Sequence, residues 1–350
     1  MSKQVLILRA SIRLERAAVK DDPAPGKVTI ADVARLAGVS KAVASRALSP
    51  ERRPVSDEKR ERVLAAARQL GFRVNLLAQS LTTKTVNLVA VVVNHIHDLS
   101  DLDLFDELLA QTQAVGKQVI LIRVGSVAKV DEFLRQGVAY HVDAALVFSD
   151  FADAATVRQM FRTEQVIMLN GRHDRLSPAI IPDDAQGIDE AVAHAAGRGA
   201  KTAALVTGRA TSLVEQARVA AYKAALKRHG IRLSKSVQGD YSYASGHAAA
   251  GELGPSLPDA VFCTSDAMAM GILDVYREKF ARGDGKRFAL YGFDDLSLLD
   301  FDAYPIASIG YDKSVFVREM VRMIAEPGHF QPGMPPVLIP TRFIARSTAA

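Results

Sequence analysis

From residue 85 to the end of the chain, short apolar runs alternate with longer stretches whose apolar positions recur at helical spacing. The runs fall at 88–93, 119–124, 144–148, 166–169, 203–207, 260–263 and 288–291, and they lack the period-two pattern of a strand with one wet face. Strands apolar on both faces must be covered on both faces. Segments such as 213–227 and 267–280 are amphipathic and supply that cover. Strand, helix, strand in repetition gives right-handed crossovers and parallel pairing. Seven runs over this length predict two such sheets.

Residues 27–81 follow a different rule, with three short helical patterns in place of strands. Thr29 is placed to cap a first helix whose apolar face is Ile30, Val33, Ala34 and Ala37. Gly38 and Val39 make a tight turn, Ser40 caps a second helix running to Leu48, and Pro50 and Pro54 punctuate a loop. Ser56 opens a third helix that ends at Gly71. Ahead of this bundle, Asp21-Asp22-Pro23-Ala24-Pro25-Gly26 breaks any helix begun earlier, so 1–26 reads as a flexible extension whose Arg9, Arg13, Arg16 and Lys20 add at most weak phosphate attraction.

Charge separates the same regions. The net charge of +5 is the sum of a front, residues 1–81, with 16 Lys and Arg against 8 Asp and Glu, and a remainder with 28 against 31. A small basic module ahead of a faintly acidic body is the footprint of nucleic-acid binding by one part of a chain. Other classes are excluded on composition. No run approaches the roughly 20 apolar residues of a membrane helix, and Val5 to Leu8 is too short for the apolar core of a secretory signal. The lone Cys263 forms neither an intramolecular disulfide nor a metal cluster, which fits a reducing, cytoplasmic setting.

A helix-turn-helix needs a small residue on the first helix, a tight turn, and a second helix that offers side chains to the major groove. Ala34, Gly38 and Val39 meet the packing needs. On the second helix Val43, Ala44, Ala47 and Leu48 turn inward, which leaves Lys41, Ala42, Ser45 and Arg46 outward. Arg46 is the best base reader, because a guanidinium can hold guanine O6 and N7 together.

These residues carry a resemblance. Val28-Thr29-Ile30-Ala31-Asp32-Val33-Ala34, Gly38-Val39-Ser40-Lys41-Ala42, Ser45-Arg46, Val55-Ser56 and Arg60-Glu61-Arg62-Val63-Leu64-Ala65-Ala66-Ala67 resemble the DNA-binding head of the lactose-repressor (LacI) family. Leu70-Gly71-Phe72-Arg73-Val74-Asn75 and Ala78-Gln79-Ser80-Leu81 are similar to that family's head end and hinge helix. The resemblance implies major-groove contacts by Lys41, Ala42 and Arg46, and backbone contacts by Thr29, Ser40, Ser45 and Ser56. It places Asn75, Ala78 and Leu81 at the hinge, with Leu81 wedged into a minor-groove base step. Two departures stand out: Val43 where a phosphate-binding Thr is common, and Gln79 where an Arg is common.

The resemblance extends to the body through Val142-Asp143-Ala144, Gly199-Ala200-Lys201-Thr202, Pro258-Asp259-Ala260, Ser265-Asp266-Ala267-Met268 and Tyr291-Gly292-Phe293-Asp294-Asp295. It implies an all-α helix-turn-helix head (27–74), a hinge (75–85) and an α/β two-lobed, periplasmic-binding-protein-like sensor (86–350) that dimerises and holds a small-molecule effector, such as a sugar, between its lobes. Each candidate for the effector follows a strand or lies on the next helix, where open α/β sheets bind ligands. Asn170, Arg218, Ser265 and Asp294 are nominated, with Arg218 and Asp294 the anchors. Asp266 is secondary, since a carboxylate there also suits a helix cap, and Phe105 is a secondary aromatic beside Tyr243 and Phe293, each of which also suits core or rim.

The loop 94–105 is longer than the family usual. Its His95, His97, Asp98, Asp101 and Asp103 read as loop polarity and a cap, with no metal, and no cofactor signature is present. The implied function is a transcriptional regulator, most simply a repressor, binding a pseudo-palindromic operator as a homodimer, with induction and co-repression both open. Two rivals come from other classes. A solute-binding receptor shares the sensor fold but requires export. An enzyme could use Asp294-Asp295, His173-Asp174 or His194, yet no nucleophile elbow or P-loop accompanies them.

Overall fold

Val33, Ala34, Ala37, Ala44, Ala47, Val63, Ala66 and Ala67 pack into one small core, which is why residues so poor in large side chains fold as helices that touch. In the computed structural model these helices are α1 (Ile30–Leu36), α2 (Lys41–Ala47) and α3 (Asp57–Gln69). Gly38 takes φ +63° between α1 and α2, a left-handed turn that Val39 closes with an N–H bond to Ala34 O. Arg60 of α3 donates to Ala47 O at 3.0 Å and ties the third helix to the end of the second. The structure describes residues 28–49, 54–73, 86–94, 99–136, 141–172, 174, 176–254, 256–281, 287–326, 328 and 331–349. The chain divides into two units at Lys84 and Thr85.

The second unit holds two lobes of one design. Lobe 1 contains β1 (Leu88–Val93), α4 (Leu99–Ala114), β2 (Gln118–Arg123), α5 (Val127–Arg135), β3 (Ala144–Val147), α6 (Ala154–Phe161) and β4 (Val166–Met168). Lobe 2 contains α7 (Asp184–Gly197), β6 (Thr202–Thr207), α8 (Leu213–Arg228), β7 (Arg232–Gln238), α9 (Tyr243–Glu252), β8 (Ala260–Cys263), α10 (Asp266–Ala281) and β9 (Ala289–Tyr291). The sheet orders are β2-β1-β3-β4 and β7-β6-β8-β9, parallel throughout. In each lobe the first strand lies between the second and third, so the crevice at the strands' carboxyl ends falls where the winding reverses. Val89 to Val92 are fully buried, which accounts for the absence of alternation in their sequence.

Both faces of each sheet are covered. In lobe 1, α4 and α11 (Lys313–Ala325) pack on one face and α5 and α6 on the other. In lobe 2, α7 and α8 oppose α9 and α10. The last pair approach closely: a methyl group on Gly246 would lie 2.1 Å from Met268 O, and one on Gly271 2.3 Å from Tyr243 O. Gly246→Ala is therefore expected to cost about 1–3 kcal/mol, as overpacking does. An unchanged urea midpoint would show that α9 and α10 separate freely.

A third sheet was not legible in the sequence. It joins β5 (Ile180–Asp183), β10 (Ser308–Tyr311) and β11 (Val337–Ile344) in the order β10-β11-β5, and its strands connect the lobes. Pro182 and Pro340 each lack the N–H that a strand ladder uses. In the fold, β11 pairs with β5 through Pro340 and with β10 only from Thr341 onward, so Pro340 stands at the changeover where its missing N–H removes no ladder bond to β10. β7, with the polar sequence RLSKSVQ, is an edge strand and was also missed.

Candidate nucleic-acid interface and effector cleft

The head presents one polar surface along α2. Lys41, Ala42, Ser45 and Arg46 are exposed while Ala44 and Ala47 are buried, the division that helical spacing requires. Arg46 Nε donates to Ala42 O at 3.3 Å, which steadies the guanidinium and leaves its two Nη groups as a free fork. Ser40 Oγ accepts from Val43 N at 3.3 Å; its own proton stays free to donate to a phosphate. Ser56 precedes α3 without a side-chain bond to the helix. Thr29 departs from the simple cap, because its N and Oγ1 both donate to Asp32 Oδ2, at 3.0 and 2.7 Å. Asp32 thus reaches back to close the α1 terminus. Asn75, Ala78, Leu81 and Gln79 lie outside the described residues.

In the sensor, the lobe 1 wall is built from the residues that follow β1, β3 and β4. Asn94 Oδ1 accepts from Ser149 Oγ at 2.8 Å and Asp150 N at 3.0 Å, and its Nδ2 donates to Asp150 Oδ2 at 2.9 Å. Asn170, nearly fully buried, donates to Ser149 O and accepts from Arg172 N at 2.9 Å, which leaves one amide hydrogen for a ligand. Burial pushes the Asp150 carboxyl above the usual range, against the Asn94 hydrogen bond and the charges of Arg209 and Arg172. Arg209 belongs to lobe 2, so the two walls face each other.

The lobe 2 wall centres on Arg218, which is 7% exposed. Its Nε donates to Asp184 Oδ2 and its Nη1 to Thr264 O, both at 2.9 Å, and the guanidinium lies 3.5 Å from the centroid of the Phe293 ring. Burial works against its charge, but the carboxylates of Asp184, Asp294 and Glu215 outweigh it and hold the cation firmly protonated. Glu215, three residues earlier on α8, accepts from Gly208 N at 2.7 Å, Thr264 Oγ1 at 2.8 Å and Tyr241 Oη at 3.0 Å. Asp294 sits at φ +102° with its backbone held by Ile309 O and Lys313 Nζ, the kind of enforced conformation found at ligand sites.

Ser265 takes the cap that the sequence also suited to Asp266, and Asp266 is buried beneath the neighbouring loop. Ser265 Oγ caps α10 by accepting from Met268 N at 3.2 Å and donates to Tyr241 O. Asp266, first residue of α10, does not cap. It is fully buried, with Oδ2 on Leu296 N at 2.9 Å and Oδ1 on Ser308 Oγ at 2.6 Å, a strut under the Asp294 loop. Burial and the nearby Asp294 charge raise its carboxyl well above the ordinary value. The folded state therefore holds a proton that the unfolded state gives up, so stability falls as pH rises from the usual carboxylate range toward the raised value. Asp266→Asn is expected to flatten that slope in unfolding curves taken from pH 4 to 8; a slope identical to wild type would show that Asp266 is ionised when folded.

Phe105 packs edge-on to Phe148, centroids 5.8 Å apart, at the margin of the lobe 1 core. The Phe293 face is occupied by Arg218, and Tyr243 binds Asp274 through its hydroxyl. Sequence reasoning missed Glu215, Thr264, Asp184 and Tyr241, and Asn94, Ser149 and Asp150 opposite them. The strand-end rule that nominated Asn170 applies equally to Asn94 and Ser149, and Glu215 is one turn from Arg218.

Asp103 takes the backbone N and hydroxyl of Ser297 at 2.9 and 2.8 Å; His95, His97, Asp98 and the Asp101 side chain lie outside the described residues. Asp295 is paired with Arg346 at 2.9 Å, and His194 Nδ1 lies 3.0 Å from Tyr291 Oη within lobe 2, away from the cleft. His173 is outside the described residues. A concavity of about 450 Å³ opens at the amino ends of β6, β8 and β9, lined in part by Arg198, Tyr276 and Arg287. The convergent polar side chains stand at the opposite, carboxyl ends of the strands, the ends at which open α/β sheets take up ligands.

Residues 29–75 match the family described as bacterial regulatory proteins, lacI family, and residues 192–349 match a periplasmic binding protein-like domain. The head is similar to LacI-family DNA-binding domains and the second lobe to periplasmic binding proteins. Among its relatives, the HTH-type transcriptional regulator AscG of Escherichia coli (strain K12) is 27% identical over 87% of this chain and 94% of its own length. The HTH-type transcriptional repressor PurR of Vibrio atlanticus (strain LGP32) is 26% identical over 81% and 87%. A lac repressor dimer bound to operator and the anti-inducer ONPF shares the fold, with a TM-score of 0.77 at 23% identity over 92% of this chain and 99% of that one. Lobe 1 lies outside the matched domain segment, yet its strand order repeats that of lobe 2.

Proposed function

We propose that this chain is a LacI-family transcriptional repressor that binds a pseudo-palindromic operator as a homodimer and releases or tightens on it when a sugar-like metabolite enters the sensor cleft. The observation that carries this reading is the free Arg46 fork on the exposed face of α2, in the same chain as a cleft built around Arg218 and Asp294. A repressor, PurR, and a regulator, AscG, among the relatives support it, as does the operator-bound lac repressor fold. The cleft's carboxylates, amides and guanidinium suit a polyhydroxylated ligand, since each can accept or donate to hydroxyl groups.

The dimer is supported by apolar side chains that a monomer would leave wet: Leu102, Leu109 and Leu121, 64%, 41% and 43% exposed on α4 and the edge strand β2. We place the protein in the cytoplasm, at DNA, and assign it no catalytic activity. None of the described helices is long and apolar enough to cross a membrane. The test is selection of genomic fragments by the purified full-length protein at near-physiological salt, where non-specific phosphate binding is weak. Recovery of a shared inverted repeat supports the reading. Recovery of no shared sequence, with and without added cell metabolites, overturns it.

A further inference from the structure

The chain enters the sensor at Val86, and a single carboxylate holds it there. Asp143 Oδ1 accepts from Val86 N at 2.7 Å and Oδ2 from Asn87 N at 2.9 Å, while Lys117 Nζ pairs with the same Oδ2. The pair is nearly buried, with side chains 16% and 11% exposed, so its charge-assisted bonds are poorly screened. Asn87 sits at φ +54°, a left-handed conformation that asparagine adopts more readily than other non-glycine residues, and its carbonyl accepts from Gln118 N at 2.8 Å. Two successive peptide units are thereby fixed in direction just after the segment 74–85 that leads from the DNA head.

Lobe 2 contains the same device without a head attached. Asp259 stands before β8 as Asp143 stands before β3, and its Oδ2 accepts from Lys201 N, Thr202 N and Thr202 Oγ1, each at 2.9 Å. There the clamp fixes only the start of β6. Lobe 1 replaces the threonine hydroxyl with the ammonium of Lys117. We propose that the Asp143–Lys117 clamp is a positioning element for operator binding: it fixes the point and direction at which the sensor hands the chain to the head, so that movement of lobe 1 reaches the DNA. The inference rests on the functional reading above. A freed Val86 and Asn87 would let the sensor move without moving what precedes them.

The experiment compares full-length wild type with Asp143→Ala, Asp143→Asn and Asp259→Ala, using the selected genomic fragment and a scrambled fragment as probes, with amide hydrogen exchange at Val86 and Asn87 in parallel. Asp143→Ala is expected to lose roughly 5- to 150-fold in affinity for the selected fragment, the range typical of coupling between sites, with Val86 and Asn87 deprotected and scrambled-fragment binding unchanged. Asp259→Ala, a structural control of the same chemistry, is expected to stay within about twofold of wild type on DNA. Asp143→Asn, which keeps one acceptor oxygen but removes the negative charge that pairs with Lys117, carries the test if the alanine variant does not fold, with a smaller loss in the same direction. Equal affinities for wild type and Asp143→Ala despite deprotected amides, or equal losses in Asp143→Ala and Asp259→Ala, overturn the inference alone. Free exchange of the two amides in wild type overturns the clamp itself. A wild type without a preferred sequence removes the functional reading, and the inference with it.

Discussion

Arg46→Ala is expected to bind the selected operator roughly 5- to 150-fold more weakly, the equivalent of the ~1–3 kcal/mol carried by one bidentate guanine contact. The loss should be confined to sequences with the correct base pair at one position in each half-site, because the outward fork reads base edges and adds little to phosphate attraction. The helix itself should survive, since Arg46 is exposed and Ala44 and Ala47 hold α2 to the head core. Affinities for a set of single-base operator variants check this. A uniform loss on every sequence would assign Arg46 to the backbone.

Arg218→Met is expected to cost about 3–5 kcal/mol of sensor stability, because it leaves the Asp184 carboxylate in a nearly buried ion pair without its cation and strips a neighbouring charge from Glu215. The same change should abolish the response to any effector that uses the cleft. Replacing both partners, Arg218→Met with Asp184→Leu, should recover much of the stability and none of the response. Urea unfolding of the single and double variants separates the two roles. A single variant as stable as wild type would mean that Arg218 is held for the ligand alone.

What the sequence revealed depended on how local the physics was. Helix spacing set which side of α2 faces out, and Lys41, Ala42, Ser45 and Arg46 stand there. The fully buried strands of both lobes were legible from unbroken apolar runs such as Leu88–Val93 and Ala260–Cys263. The connecting sheet was not, because Pro182 and Pro340 carry a local signal against strands and only the staggered pairing of β11 removes the conflict. The cleft shows the same limit. Asp266 and Ser265 are adjacent, and the choice of which one caps α10 is made by Leu296 and Ser308, some 30 and 42 residues away. Glu215 draws its meaning from Thr264 and Tyr241, contacts that no window on the sequence contains.

Coupling of the cleft around Arg218 and Asp294 to the outward face of α2 within one chain is expected. The most direct measurement is the affinity of full-length protein for its selected fragment, by fluorescence anisotropy, before and after addition of the dialysable metabolite pool of the source cells. A change of at least about fivefold, in either direction, is expected, and it should disappear in Arg218→Met. An affinity that the whole pool leaves unmoved would contradict the coupling.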